Sequence, residues 1–141
     1  MDYREAYEKA LQLLNVRFLS EGELKAKLRR RGVDDDVLED VVAALKGEHF
    51  LDDQRLARDV YRYYARKGQY GHLYIVNRLR RRCLPVPEDV ERPDEYALAG
   101  ELVKRKFSYR ADEARKAARF LQYRGFSPSV IRDVLEDFTV H

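Results

Sequence analysis

The chain has one cysteine, no tryptophan and a single methionine, which is its first residue. With Cys83 alone an internal disulfide is impossible, and the usual cysteine-rich zinc sites are excluded too. No apolar run approaches the length of about 18 residues that marks a membrane-spanning helix. The first ten residues, MDYREAYEKA, are charged rather than apolar. A cytoplasmic chain without membrane span or secretory signal is therefore expected. The three histidines, His49, His72 and His141, are scattered and lack the spacing of a metal motif. Gly68 and Gly71 belong to a turn with no Lys-Ser/Thr behind it, so they form no phosphate loop. Asp34-Asp35-Asp36 and Asp52-Asp53 could hold a cation, but each opens a helix, where carboxylates favour the positive end of the dipole. Cys83 reads as a small buried apolar residue. No catalytic constellation emerges, and neither an enzyme nor a cofactor, metal or small-molecule substrate is expected.

What the chain does have is charge of both signs. It is 38% charged and 45% hydrophobic, and the two kinds are interspersed, which favours a folded protein over a disordered one. The formal net charge is only +3, yet its distribution is uneven. Residues 1–51 carry 9 Lys/Arg against 11 Asp/Glu, residues 52–93 carry 10 against 6, and residues 94–141 carry 9 against 8. An anionic partner would be drawn to the middle third.

The two ends of the chain resemble one another. Residues 31–42, RGVDDDVLEDVV, match residues 124–135, RGFSPSVIRDVL, at a constant offset of 93. Gly32 and Gly125 sit where a helix should stop in the left-handed conformation. An apolar residue follows (Val33, Phe126), then an N-cap (Asp34, Ser127), then an apolar residue at the fourth helical position (Leu38, Ile131), which is a hydrophobic staple. Pro128 takes the first helical position, where its missing N–H is harmless. Ser20-Glu21-Gly22-Glu23 is a capping box, and Asp52 caps a helix that begins at Asp53.

Apolar spacing predicts the helices. Tyr3, Tyr7, Leu11, Leu14 and Phe18 mark the first, Leu24 and Leu28 the second, and Val37, Leu38, Val41 and Leu45 the third. Leu56, Val60 and Tyr64 mark the fourth. Leu73, Val76 and Leu79 mark the fifth, although Leu73-Tyr74-Ile75-Val76 could also begin a strand. A short sixth runs from Pro87 to Arg92, with Cys83 in the place of a capping glycine before it. Tyr96, Ala99, Val103 and Phe107 mark the seventh, Ala114, Ala117, Ala118 and Leu121 the eighth, and the ninth follows Pro128. The expected fold is all-α: nine helices in three tandem three-helix modules, residues 1–51, 52–93 and 94–141, packed as an elongated, curved helical repeat.

Candidate contact residues concentrate in the middle. Arg55, Arg58, Arg62 and Arg66 line one face of the fourth helix, interleaved with Tyr61, Tyr63 and Tyr64 and followed by Lys67, Tyr70 and Tyr74. Arg78, Arg80, Arg81 and Arg82 end the fifth helix, and Arg29, Arg30 and Arg31 end the second. Guanidinium groups bind phosphate or carboxylate in bidentate fashion, and tyrosine stacks on bases or anchors interfaces. Weak, salt-dependent binding of single-stranded DNA is the expectation. Against it stands the simpler role of arginine in a last helical turn, which is to complement the dipole.

Together these segments resemble the RecX family of recombination regulators. The resemblance rests on Ala10-x-x-Leu13-Leu14-x-x-Arg17, on Ser20-x-x-Glu23-Leu24-x-x-x-Leu28-x-x-x-Gly32 and on Phe50-Leu51-Asp52-Asp53-x-Arg55-Leu56-Ala57. It continues in Gly71-x-x-x-Ile75-x-x-x-Leu79, in Glu95-x-Ala97 and in Arg119-Phe120-Leu121-x-x-Arg124-Gly125-Phe126-Ser127. Departures are Tyr74 where the family has a basic residue, His72 where it has Pro, and Arg82-Cys83-Leu84 where it has Lys-Gly-Ile. The resemblance implies a protein, here expected as a monomer, that binds the RecA recombinase filament on single-stranded DNA. It would limit filament growth and lower ATPase, strand-exchange and coprotease activity. A helix-turn-helix reader of duplex DNA and a helical-repeat scaffold for another protein remain alternatives.

Overall fold

The computed structural model describes residues 1–107 and 111–140, without the side chains of residues 111 and 138–140. Among these residues there are eight α-helices and one 3-10 turn, and no strand. The helices are α1 (Tyr3–Val16), α2 (Glu21–Arg30), α3 (Asp35–Gly47), α4 (Asp53–Arg66), α5 (His72–Arg81), α6 (Glu95–Lys106), α7 (Ala114–Tyr123) and α8 (Pro128–Val140), with the 3-10 turn at Ala111–Glu113. The short sixth helix, expected from Pro87 to Arg92, is absent: that stretch is bend and irregular chain. Pro85, Pro87 and Pro93 leave too short an interval to meet the cost of helix nucleation, and Pro93 biases Arg92 away from helical geometry. The alternative strand at Leu73–Val76 does not form either, since α5 runs through it.

The chain divides into two compact units. Unit 1 comprises Met1–Asp59 and Leu79–Pro87, and unit 2 comprises Val60–Arg78 and Glu88–His141. In unit 1, α1, α2 and α3 pack on one another around Ala6, Ala10, Leu24, Leu28, Leu38 and Leu45, all fully buried. Phe18, expected on the face of the first helix, lies beyond the end of α1 and is 78% exposed. In unit 2, α8 packs on α6 and α7 over Ala99, Val103, Ala117, Leu121, Phe126 and Val134.

Four helices end in the same turn, α3 among them, where Phe50 N donates to Leu45 O at 2.9 Å after His49 at φ 64°; the other three close with a buried apolar residue. Val33 N donates to Leu28 O at 3.2 Å, Leu84 N to Leu79 O at 2.9 Å, and Phe126 N to Leu121 O at 3.1 Å. The residue before each donor has positive φ: Gly32 at 84°, Cys83 at 57° and Gly125 at 81°. This is the Schellman pattern, in which the apolar residue after the left-handed one closes onto the helix. Cys83 does stand in a capping position, but its side chain is exposed, against the expectation of burial. Leu84 is the buried residue of that turn.

The caps expected from the sequence form with one exception. Ser20 and Glu23 form a full capping box, Asp52 Oδ1 accepts from Arg55 N at 3.1 Å, and Ser127 Oγ accepts from Val130 N at 3.3 Å. Asp34 occupies the N-cap of α3 in extended conformation, but its side chain makes no capping bond. Arg29, one turn before the Gly32 turn, instead reaches Asp35 at 3.2 Å.

A cation–tyrosine cluster as candidate interaction surface

Helix α4 is amphipathic by register. Ala57 and Tyr61, four residues apart, are fully buried, and Val60 and Tyr64 flank them half-buried. The opposite face carries the arginine row. Arg55 is exposed and Arg58 half-buried in the part of α4 that belongs to unit 1, while Arg62 and Arg66 are exposed in the part that belongs to unit 2.

Tyr61 is a core residue and corrects the expectation of a contact role. Its hydroxyl lies 2.8 Å from His72 Nδ1, and the His72 amide donates to Glu95 Oε1 at 2.9 Å. Burial pushes the Tyr61 phenol up from its ordinary range. Burial, with the nearby Arg92 charge, pushes the His72 imidazole down. A protonated phenol beside a neutral imidazole makes the tyrosine the donor and Nδ1 the acceptor.

The other tyrosines form a cluster around the loop between α4 and α5. Tyr70 and Tyr74 stack face to face, with ring centroids 4.0 Å apart and planes inclined by 6°. Tyr64 meets both edge-on, at 6.0 and 5.9 Å, and Tyr63 meets Tyr64 edge-on at 5.1 Å. Cations are laid over these rings. Lys67 Nζ is 4.7 Å from the Tyr63 ring, the Arg78 guanidinium 5.2 Å from Tyr74, and the Arg124 guanidinium 5.6 Å from Tyr70. Arg124 also lies 4.9 Å from Phe120, above which Lys106 sits at 4.5 Å. The result is a continuous series of cations and rings running through α4, α5, α6 and α7 of unit 2.

Hydrogen bonds fix the guanidinium groups. Arg78 donates to the Tyr74 hydroxyl from Nε at 3.1 Å and Nη2 at 2.8 Å, and Arg124 Nη1 donates to Gln69 Oε1 at 2.9 Å. Burial would raise the Tyr74 phenol, but the bonds from Arg78 and Tyr70 outweigh it and hold its pKa below the ordinary tyrosine range. Arginine stacked on a ring and tethered at one edge has lost its rotamer freedom beforehand, so less entropy is lost when an anion binds. Phosphate and carboxylate both suit that geometry.

The backbone beneath the cluster is drawn close. Gly71 N donates to Arg124 O at 2.7 Å and Leu73 N to Gly125 O at 3.2 Å. The turn after α7 thus satisfies two of the free amides near the start of α5. A Cβ on Gly125 would collide with the backbone of Tyr74, and one on Gly71 with the Gly125 carbonyl.

The remaining sequence candidates are dispersed. Arg82 is committed within unit 1, donating from Nη2 to Phe18 O at 2.8 Å and to Glu23 Oε1 at 3.1 Å. Burial alone would raise the Glu23 carboxyl, yet Arg82 and the Ser20 amide hold it below its usual range. Arg31 donates to Lys27 O, and Arg30, Arg80 and Arg81 are exposed. Sequence reasoning missed Arg124, Phe120 and Lys106 as members of the cluster. Tyr63, by contrast, was visible in its interleaving with the arginines of α4. Among the described residues no group of three His, Cys, Asp or Glu is placed to hold a metal ion, and no helix is long and apolar enough to cross a membrane.

Residues 6–45 match the family model for the first three-helix domain of RecX, and residues 93–135 match that for its third three-helix domain. A regulatory protein RecX of Vibrio cholerae is 33% identical over 96% of this chain and 94% of its own length, and one from Pelodictyon phaeoclathratiforme is 32% identical over 89% and 84%. The chain belongs to the RecX family. A RecX protein of Geobacillus kaustophilus is 29% identical over 99% of this chain, which spans only 56% of that relative. The crystal structure of RecX from Lactobacillus salivarius has the same fold, with a TM-score of 0.80 at 22% identity, covering 99% of this chain and 98% of that one. The fixed cation–tyrosine series of unit 2 therefore belongs to a RecX chain. Two tethered arginines, Arg78 and Arg124, flank its Tyr70–Tyr74 stack.

Proposed function

We propose that this chain regulates a RecA-type recombinase by binding its filament on single-stranded DNA and limiting the filament's growth, ATPase, strand-exchange and coprotease activities. It acts in the cytoplasm as a monomer of three helical modules, residues 1–51, 52–93 and 94–141, the middle one built on the two helices α4 and α5. The observation that carries this reading is the cation–tyrosine series of unit 2, with Arg62, Arg66 and Lys67 exposed beside it. A nucleoprotein filament offers phosphates and carboxylates together, and pre-fixed guanidinium groups recognise both. Tyr63, 55% exposed, adds a ring on which a base can stack.

The deciding experiment is the DNA-dependent ATPase of the cognate recombinase, measured with and without the protein. Inhibition that deepens with protein concentration supports the reading. An unchanged ATPase, together with salt-resistant preference for one duplex sequence, would replace it with a helix-turn-helix reader of DNA.

A further inference from the structure

Unit 2 also contains a groove of about 480 Å³ between α5 and the α7–α8 turn. Leu73 and Asn77 of α5 form one wall, Gln122 and Tyr123 of α7 another, and Ile131 and Arg132 of α8 the third. Two of these are large apolar or aromatic side chains left in water, Leu73 at 47% exposure and Tyr123 at 81%. Isolated exposure of this kind needs no explanation, but two such residues on the rim of one groove do.

The charge in the lining of the groove is positive. Among the described residues of its lining Arg132 is the only charged one, and none is a carboxylate. By helical register Arg115 and Arg119, both exposed, share the face of α7 that carries Ala118 and Gln122. Glu136, one turn beyond Arg132 on α8, lies outside the lining and already has an interaction of its own. The Asn77 and Gln122 amides each offer a donor and an acceptor, which is what a peptide backbone requires.

We propose that this groove docks a segment of a partner protein whose bulky apolar side chains are flanked by carboxylates. Apolar walls with amides at the edges suit a peptide, whereas a nucleic acid strand would need several cations along its path. The open rim, with Tyr123 projecting, has the character of an interface anchor more than of an enclosed small-molecule site. This inference stands apart from the recombinase reading, because it specifies the chemistry of the docked segment and not the protein that bears it.

The test uses the full chain, isotope-labelled, and short synthetic peptides of one length. The first has leucines at helical spacing flanked by glutamates, the second replaces the glutamates by lysines, and the third replaces the leucines by serines. The leucine–glutamate peptide should shift the amide signals of Leu73, Gln122, Tyr123 and Arg132, and the other two should bind about tenfold more weakly or not at all. Leu73→Glu combined with Tyr123→Ala should lose binding at unchanged helicity. Should that variant not fold, Arg132→Glu decides alone, since it should shift the preference toward the lysine-flanked peptide. Silence of the groove amides, equal binding of the lysine peptide, or the same amides responding to oligo(dT) instead would overturn the proposal.

Discussion

Gly32 and Gly125 share a backbone conformation but not an environment. A side chain at Gly32 would meet nothing, whereas one at Gly125 would run into Tyr74. Gly32→Ala should therefore cost only the left-handed penalty, about 1–2 kcal/mol. Gly125→Ala should cost more, because the start of α5 must also move away. Urea denaturation of both variants reads the difference, and equal losses would mean that the close approach at Tyr74 has no energetic weight. The sequence made both glycines legible through the Arg-Gly-apolar pattern they share. It misled at Cys83, where residue type suggested burial. In this turn the left-handed residue sits outside the packed face and the next one closes over it, so Leu84 is buried and Cys83 is not.

His72 carries a pH dependence of definite sign. Its pKa is lowered in the folded chain by burial and by Arg92, with Glu95 opposing, and it faces the Tyr61 hydroxyl. A lowered folded pKa means that the unfolded chain binds more protons between the two values, so stability rises with pH there. The contribution is complete above the unfolded value near 6.5 and is lost as pH falls through the folded one. Melting temperature should fall on acidification below about pH 6.5, and His72→Asn, which keeps an acceptor near Tyr61, should flatten that slope. An identical slope in the variant would assign the effect to other groups.

At the scale of elements, α4 shows both how far periodicity reaches and where it was misapplied. The arginine row was visible from spacing, and it does lie opposite the buried face. The alternation of Tyr with Arg suggested that Tyr61 shares the arginines' surroundings. Yet Tyr61 follows Ala57 by four residues, which puts it on the core side; that signal was present in the sequence. Two substitutions separate the faces. Tyr61→Ala should cost about 3–5 kcal/mol, as for other large core side chains. Arg62→Ala with Arg66→Ala should change stability by less than about 0.5 kcal/mol each. Chemical denaturation compares them, and a mild Tyr61→Ala would show that its site collapses easily. The missing helix at residues 87–92 has the opposite lesson, since apolar spacing there was too short to prevail over three prolines.

At the scale of the whole molecule, the repeat offset of 93 residues revealed the helix–turn–helix at each end, but no local pattern could bring Arg124 to Tyr70. Their meeting depends on α5 starting against the turn that follows α7, through Gly71 and Leu73 amides, and such pairings are settled only by three-dimensional packing. This is why the arginine row and its neighbouring tyrosines were legible and the place of Arg124 among them was not. If unit 2 supplies the contact with a nucleoprotein filament, its exposed cations should govern the salt dependence. Each phosphate contact on single-stranded DNA contributes about 0.7 to the slope of log affinity against log salt. Replacing Arg62, Arg66 and Lys67 together by Ala should then lower the magnitude of that slope by about 2 if all three reach phosphates. The corresponding Glu variants should weaken recombinase inhibition by about tenfold or more. As a comparison in unit 1, Arg29→Ala with Arg31→Ala should leave the slope nearly unchanged, since Arg29 is paired with Asp35 and Arg31 bonds the Lys27 carbonyl. Binding of oligo(dT) titrated across salt concentrations, with helicity checked for every variant, separates the outcomes. A slope that follows the unit 1 arginines, and not those of α4, would move the nucleic-acid contact away from the tyrosine cluster.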